Sequence, residues 1–262
     1  MKILSLFSGI GGLELGLEAA KVGTTHWQVE KDPYCRSVLA KHWPDAERFE
    51  DVRSVTAQNF PGAELICGGF PCQDIAASNP RGSGLAGARS SLFWEIARIA
   101  RSIHSVRLMV LENVPTLSSE KGGLREVLRE LAKSGFNVEW DIISAASVGA
   151  VHRRDRLFII AERLSPDPDR KPLRNHKQRT TRGRDHVQTS RKAEPLHNGE
   201  ARGFRANPWA IESGICGAIN GIPTKLDRSR LQALGNAVVP QVAYQVGLRV
   251  RELQDLHKEK TQ

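Results

Sequence analysis

The sequence lacks the features of a disulfide-rich, zinc-binding or membrane-spanning protein. Its 262 residues include four cysteines, and none of them forms a CxxC pair or stands near histidines at zinc-finger spacing. We therefore expect neither a disulfide framework nor a bound metal. No apolar run approaches the length that crosses a bilayer. The apolar start is too short for a signal peptide, so we expect a cytoplasmic protein.

The chain also has too few acidic residues to balance its basic ones. The formal net charge is +9 and the isoelectric point is about 9.7, which favours a polyanionic partner such as nucleic acid. A hydrophobic content of 40% is enough for a buried core. The length suits one large α/β domain, or one domain with an insertion, and there is no internal repeat.

A glycine-rich turn follows the first predicted strand. Residues 2–7 are apolar, Ser8-Gly9-Ile10-Gly11-Gly12 comes next, and Leu13, Leu15, Leu17 and Ala20 then suit a helix. Strand, glycine turn and helix form the opening unit of a nucleotide-binding α/β fold. The turn is not the GxGxxG pattern, and a plain strand-to-helix turn would explain it equally well.

Two acidic residues stand where such a fold would hold a nucleoside. Glu30 ends the apolar run 27–29, at the distance after the glycine turn where a carboxylate binds ribose hydroxyls. Asp51 would lie at the tip of a third strand, predicted over 49–52, and could accept a hydrogen bond from an adenine amino group. Either residue could instead be an ordinary surface acid.

Composition divides the rest of the chain into a regular part and a basic part. Helices are predicted over 34–42, 91–103, 122–134 and 241–253, and strands over 63–67, 106–111, 138–144 and the second half of 148–161. Residues 165–206 are basic and lack apolar periodicity, so they form either a disordered linker or a segment that orders on phosphate contact. Residues 207–223 regain enough apolar side chains for a small packed element.

Three predicted strands end in residues suited to chemistry. Cys72 follows the strand at 63–67 and precedes a loop of small residues at 76–90, although a lone free cysteine is more often simply buried. Glu112 follows the strand at 106–111, and Arg154 and Arg156 lead into the last strand. Carboxyl ends of strands are where open α/β sheets bind ligands.

A thiolate, a carboxylic acid and arginines together suit addition to C6 of a cytosine ring. The thiolate attacks C6, the acid shares its proton with N3, and an arginine holds O2 or the nucleophile. This covalent step makes C5 nucleophilic enough to accept a methyl group. Nearby arginine charge would favour the thiolate of Cys72, and burial would keep Glu112 protonated.

In these motifs the sequence resembles the DNA (cytosine-5)-methyltransferase family, over 1–163 and about 227–253. The matching segments are Phe7-Ser8-Gly9-Ile10-Gly11-Gly12, Pro71-Cys72-Gln73, Glu112-Asn113-Val114, Arg153-Arg154-Asp155-Arg156 and Gly235-Asn236-Ala237-Val238-Val239-Pro240. All stand in family order. Two positions depart from the family pattern: His152 stands where Gln is usual, and Lys31 stands where an aromatic often stacks on adenine.

The resemblance implies a Rossmann-like α/β fold with a mostly parallel sheet, and S-adenosylmethionine as cofactor. It implies a catalytic domain of 1–163 plus 227–262, and a small target-recognition region at 164–226. The implied catalytic residues are Cys72, Glu112, Arg154 and Arg156. The implied cofactor-binding residues are Phe7, Ser8, Gly9, Ile10, Gly11, Gly12, Glu30, Asp51, Val52, Pro71, Asn236 and Ala237.

The resemblance further implies that a monomer acts on double-stranded DNA and swings the target cytosine out of the helix. Gln73, Arg81, Arg89 and Arg153 would contact the DNA, with 76–90 as a lid. Three alternatives stay open: the same chemistry on tRNA, a relative that binds nucleic acid without catalysis, and a nicotinamide-dependent oxidoreductase. The last explains the glycine turn and Glu30 but not the Pro-Cys-Gln segment.

Overall fold

The structure is a computed structural model that describes residues 1–71, 92–120, 122–163 and 224–259. Its strands are β1 (Lys2–Leu6), β2 (Thr24–Val29), β3 (Glu47–Phe49), β4 (Leu65–Gly69), β5 (Leu108–Asn113), β6 (Phe136–Ser144) and β7 (Asp155–Arg163). Its helices are α1 (Gly12–Ala19), α2 (Pro33–His42), α3 (Leu92–Ser102), α4 (Leu124–Lys133), α5 (Thr224–Asn236) and α6 (Pro240–Glu259).

The strands form one seven-stranded sheet in the order β3-β2-β1-β4-β5-β7-β6. Pairing is parallel from β3 to β5, and β7 lies antiparallel between β5 and β6. The predicted α/β fold with a mostly parallel sheet is confirmed. Because β1, β4 and β5 are parallel neighbours, their carboxyl ends meet at one edge, where such sheets bind ligands.

Apolar side chains cover both faces of the sheet, and β5 shows the alternation. Met109 and Leu111 pack into a core that includes Phe93 of α3 and Val127 of α4. Leu108 and Val110 face the opposite side, where they join a second core containing residues of α1 and α6. A strand buried on both faces needs a continuous apolar run, which explains the composition of 106–111.

Helices α1 and α6 lie close together because small residues line their contact. A Cβ atom on Gly16 would lie 2.5 Å from the carbonyl oxygen of Pro240 and would collide with Ala243. A Cβ atom on Gly12 would collide with the carbonyl oxygen of Val238. The C-terminal segment therefore packs directly on the helix that follows the glycine turn.

The element predictions are confirmed in part and corrected in part. The helix predicted after the glycine turn is confirmed as α1, in which Leu13 and Leu17 are buried, Leu15 is 46% exposed and Glu14 is fully buried. Strand β3 ends at Phe49, so Asp51 stands in the following turn and not at a strand tip. Helix α5, from Thr224 to Asn236, was not predicted.

The predictions for 72–91 and for 164–223, which include the loop at 76–90, the basic segment at 165–206 and the packed element at 207–223, lie outside the described residues. No helix within the described ranges is long and apolar enough to cross a membrane.

Candidate active site

The glycine turn after β1 depends on backbone conformations that L-residues rarely adopt. Gly9 and Gly11 have φ values of 57° and 87°, a region in which glycine is not strained. Phe7 also has a positive φ of 58°, so a non-glycine residue carries strain at the end of β1. The amide of Ser8 bonds to the carbonyl of Val29, which ties the turn to β2.

Glu30 closes one side of this turn. Its carboxylate accepts hydrogen bonds of 2.7 Å from the amides of Gly9 and Asp32, one on each oxygen. Each oxygen keeps a free lone pair, so the carboxylate can still accept a hydrogen bond from a ligand hydroxyl group.

Helix α3 holds the segment with Asp51 and Val52 in place. Asp51 accepts a bond from the amide of Arg53, and Val52 is buried in the core. Arg98 of α3 donates to the carbonyls of Val52 and Val55, at 3.0 Å each. This contact fixes the segment relative to the helix that follows residues 72–91.

The ends of β4 and β5 are joined through side chains. Gly69 is the register partner of Glu112, and a Cβ atom on Gly69 would lie 2.7 Å from Oε2 of Glu112. The amide of the Asn113 side chain donates to the carbonyl of Phe70 at 3.2 Å. Glu112 therefore occupies space that the absent Gly69 side chain leaves, next to the segment Phe70-Pro71 that leads to Cys72.

Glu112 is buried and paired with Arg156. The Nε atom of Arg156 lies 2.8 Å from Oε1 of Glu112. Burial raises the pKa of Glu112 to about 7, although the charges of Arg156 and then Arg154 act in the opposite direction. The carboxyl group thus carries its proton for a substantial fraction of the time near neutral pH, as a proton donor must.

Arg154 has a different partner. Its guanidinium donates to the carbonyls of Gly235 and Ala237, at 2.6 and 2.8 Å, so it links the start of β7 to the segment between α5 and α6. Arg153 is exposed and paired with Asp155. A second cleft of about 530 Å³ lies here, lined by 152–156, Leu234 and 237–240.

A cavity of about 420 Å³ opens at the carboxyl ends of β1, β4 and β5. Its wall brings together many of the predicted site residues, namely Phe7, Ser8, Gly9, Ile10, Gly12, Glu30, Pro71, Glu112, Arg156, Asn236 and Ala237. Gly11, Asp51, Val52, Arg153 and Arg154 are not part of this wall. Cys72, Gln73, Arg81 and Arg89 lie outside the described residues.

Asn113 and Glu14 are among the wall residues that were not predicted from sequence. Asn113 holds the end of β4, as described above. Glu14 lies on the cavity wall with its side chain fully buried. The sequence feature that indicates the burial of Glu14 is the helical spacing of Leu13, Leu17 and Ala20. These residues define a buried face that includes position 14 and excludes Leu15. In the described part of the chain, no cluster of His, Cys, Asp or Glu could hold a metal ion.

The sheet order, with one antiparallel strand next to the edge and a cavity over the glycine turn, defines a Rossmann-like fold of the S-adenosylmethionine-dependent methyltransferase class. The family model for C-5 cytosine-specific DNA methylase matches residues 1–202. The chain belongs to this family, which confirms the resemblance read from its motifs.

Related sequences and structures agree. The chain is 31% identical over 249 residues to Type II methyltransferase M2.BsuMI of Bacillus subtilis. The aligned region covers 84% of this chain and 62% of that protein. It is 35% identical to M.Sau3AI of Staphylococcus aureus, over 61% of this chain and 42% of the relative. The chain thus spans about half the length of these relatives.

Solved structures show the same fold over about two thirds of the chain. A protein encoded within an Escherichia coli prophage and described as a DNA modification methyltransferase matches with a TM-score of 0.51 and 26% identity, over 62% of this chain and 47% of that one. The Dnmt2 methyltransferase of S. pombe matches with a TM-score of 0.52 and 20% identity, over 64% and 52%.

Proposed function

We propose that this protein transfers a methyl group from S-adenosylmethionine to C5 of a cytosine in double-stranded DNA. The observation that carries the proposal is the buried Glu112–Arg156 pair, which shares one cavity with the glycine turn and with Pro71. The family, and the type II methyltransferases among its relatives, support DNA as the substrate and a restriction-modification system as the setting.

The residues around the cavity fit S-adenosylmethionine. The cavity volume is within the range of small-molecule sites. Glu30 has lone pairs for ribose hydroxyl groups, Phe7 offers an aromatic ring, and Gly9 and Gly12 let a ligand approach the backbone. When bound, the cofactor supplies an electrophilic methyl group.

The chain's own residues would then activate the cytosine. The thiolate of Cys72 adds to C6, and the proton of Glu112 moves to N3, which neutralises the charge that develops on the ring. Arg156 holds the carboxyl group of Glu112 in place. After C5 has gained the methyl group, a water molecule takes the C5 proton, the bond between C6 and sulfur breaks to return the thiolate of Cys72, and N3 returns its proton to Glu112.

This chemistry requires the cytosine to leave the base stack. Gln73, Arg81 and Arg89 would contact the DNA from the segment after Cys72, with 76–90 closing over the base, and Arg153 would contact it from the rim of the second cleft. Residues 164–226 would form a small target-recognition region. We expect the protein to act as a monomer in the cytoplasm, on the nucleoid.

A direct test uses the purified protein with labelled S-adenosylmethionine and either duplex DNA or tRNA. We expect label in DNA only, and bisulfite sequencing of plasmid from expressing cells would give the site. Cys72→Ser should bind DNA normally and lose turnover, and only the wild type should form a covalent adduct with DNA containing 5-fluorocytosine. Label in tRNA alone, or a Cys72→Ser variant with normal activity, would contradict the proposal.

A further inference from the structure

One arginine beside the cavity binds the backbone of the turn that carries Glu30. The Nη1 atom of Arg36, on the first turn of α2, donates to the carbonyl oxygens of Glu30 and Lys31, at 3.0 and 2.8 Å. Its Nη2 atom donates to Oε1 of Glu50, just beyond β3, at 2.7 Å. The guanidinium group therefore joins the end of β2 to the end of β3 through three acceptors.

The local sequence explains how Arg36 reaches these carbonyl groups. Asp32 has an extended backbone and caps α2 by accepting a hydrogen bond of 3.0 Å from the amide of Cys35, and Pro33 opens the helix. The chain thus changes from strand to helix within a few residues, and the first turn of α2 places Arg36 next to the carbonyl groups that precede the helix. A guanidinium group presents its donors in a rigid fork, so it can hold several acceptors at once.

The contacts of Arg36 with carbonyl groups should contribute more than its ion pair. The side chain of Arg36 is 23% exposed, whereas that of Glu50 is 75% exposed. An ion pair with so exposed a partner contributes little. The hydrogen bond to the carbonyl of Glu30 is partly buried, and hydrogen bonds from a charged donor are among the stronger ones.

These contacts fix the position of the Glu30 carboxylate. The backbone amide of Glu30 donates to the carbonyl of Phe49 at 3.0 Å, and its own carbonyl accepts from Arg36. The carboxylate lines the cavity, whereas Arg36 is not part of the cavity wall. A small displacement of a group that orients a ligand can be costly, so support of the backbone at Glu30 bears directly on the cavity.

We propose that Arg36 is a positioning residue for S-adenosylmethionine, which holds Glu30 so that its carboxylate meets the ribose hydroxyl groups. This inference rests on the proposed function. Because Arg36 acts through Glu30 and not by contact with the ligand, its loss should weaken cofactor binding without changing the methyl-transfer step. In steady-state methylation, the KM for S-adenosylmethionine should rise and kcat should stay the same.

Calorimetric titration with two ligands tests the proposal. The ligands are S-adenosylhomocysteine and its 2′,3′-dideoxy analogue, which has no ribose hydroxyl group for Glu30 to bind. In Arg36→Ala, we expect binding of the first ligand to weaken by about tenfold and binding of the analogue to stay the same. Arg36→Lys keeps the charge without the fork and should show an intermediate loss, whereas Glu50→Gln should bind both ligands as the wild type does.

The matched control is Arg163→Ala at the opposite end of the sheet. The guanidinium group of Arg163 also donates to backbone carbonyl groups, those of Ala100 and Val106, both at 2.6 Å, and it lies beside the amino end of β5. Its loss should lower the melting temperature and leave the affinity for S-adenosylhomocysteine unchanged.

Equal weakening of both ligands in Arg36→Ala would indicate a general loss of structure and overturn the inference, as would unchanged binding of S-adenosylhomocysteine. A lower kcat with an unchanged KM would also overturn it. If Arg36→Ala does not fold, the same comparison of the two ligands is made with Arg36→Lys. Failure of the wild type to bind S-adenosylhomocysteine would instead overturn the proposed function.

Discussion

At the scale of single residues, the site depends on two opposing effects on Glu112. Burial favours the protonated carboxyl group, and the two arginines favour the carboxylate. Burial is the larger effect, so the pKa rises to about 7. Without Arg156 the carboxyl group would lose its positioning partner, and without burial it would be ionised at neutral pH and could not donate a proton.

The pH dependence of methylation should show this balance. In the proposed mechanism Glu112 donates its proton only while it is protonated, so the rate of the chemical step should fall as the pH rises through about 7. Single-turnover methylation measured between about pH 6 and about pH 9 would show the fall. Glu112→Gln should lower the rate by about 10²- to 10⁴-fold and abolish the fall in rate at high pH. If the rate of the variant still fell at high pH as in the wild type, that fall would be due to the titration of another group.

Gly69 provides a separate test of the carboxyl position. In Gly69→Ala, the new Cβ atom would lie 2.7 Å from Oε2 of Glu112 and would displace the carboxyl group from Arg156. We expect activity to fall by about tenfold or more, given a cost of about 1–3 kcal/mol for such crowding. The melting temperature should change little, because the displaced atom is the end of a side chain.

The matched control is the neighbouring Gly68→Ala. Its Cβ atom would collide with the carbonyl oxygen of Leu6 in β1, which is backbone within the sheet and cannot move aside. Thermal unfolding should therefore show a large loss of stability for Gly68→Ala and a small one for Gly69→Ala. The reverse order would contradict this account of the two glycines.

At the scale of elements, the contact between α1 and α6 completes the cavity. Gly12 and Gly16 allow the segment 238–243 to pack closely on α1. The carbonyl groups that accept hydrogen bonds from Arg154, those of Gly235 and Ala237, lie just before this segment. The part of the cavity wall formed by Asn236 and Ala237 thus depends on contacts between residues that are more than two hundred positions apart in the chain.

Gly16→Ala should weaken this contact. The added methyl group would collide with Ala243 and lie 2.5 Å from the carbonyl oxygen of Pro240, so α6 must shift. We expect a lower melting temperature together with weaker S-adenosylhomocysteine binding by calorimetry. The control is Gly235→Ala near the end of α5, which has nothing within 4 Å of its Cβ position and should be neutral or slightly stabilising.

The elements also show what sequence could and could not predict. Continuous apolar runs predicted β4 and β5, and motif order predicted the residues that meet at the cavity. The helical spacing of Leu13 and Leu17 predicted α1, and the same spacing is consistent with an exposed Leu15 and a buried Glu14. The hydrogen-bond partners of Arg154 could not be predicted from sequence, because they depend on the packing of a segment about eighty residues further along the chain.

At the scale of the whole molecule, the proposed binding of DNA depends on charge. The net charge of +9 predicts DNA binding that weakens as the salt concentration rises, because the release of counterions from the DNA becomes less favourable. Arg153, exposed at the rim of the second cleft, is a candidate phosphate contact. Its existing pair with Asp155 lies near the surface and would cost little to exchange.

Fluorescence anisotropy of labelled duplex DNA over a range of salt concentrations would measure this effect. Arg153→Ala should weaken binding to all sequences alike and reduce the slope of log K against log salt by about one. Arg249→Ala serves as the control, because that arginine is already paired with Glu139 and Glu252. An equal change of slope in both variants would exclude a specific phosphate contact at Arg153.

The packing of α6 on α1 has a consequence for synthesis of the protein on the ribosome. The apolar residues Leu13 and Leu17 emerge early, but the helix that covers them is translated more than two hundred residues later. Until then the nascent chain exposes an apolar surface that α6 covers in the folded protein. Newly made polypeptide should therefore need chaperone protection until α6 has been translated and covers this surface.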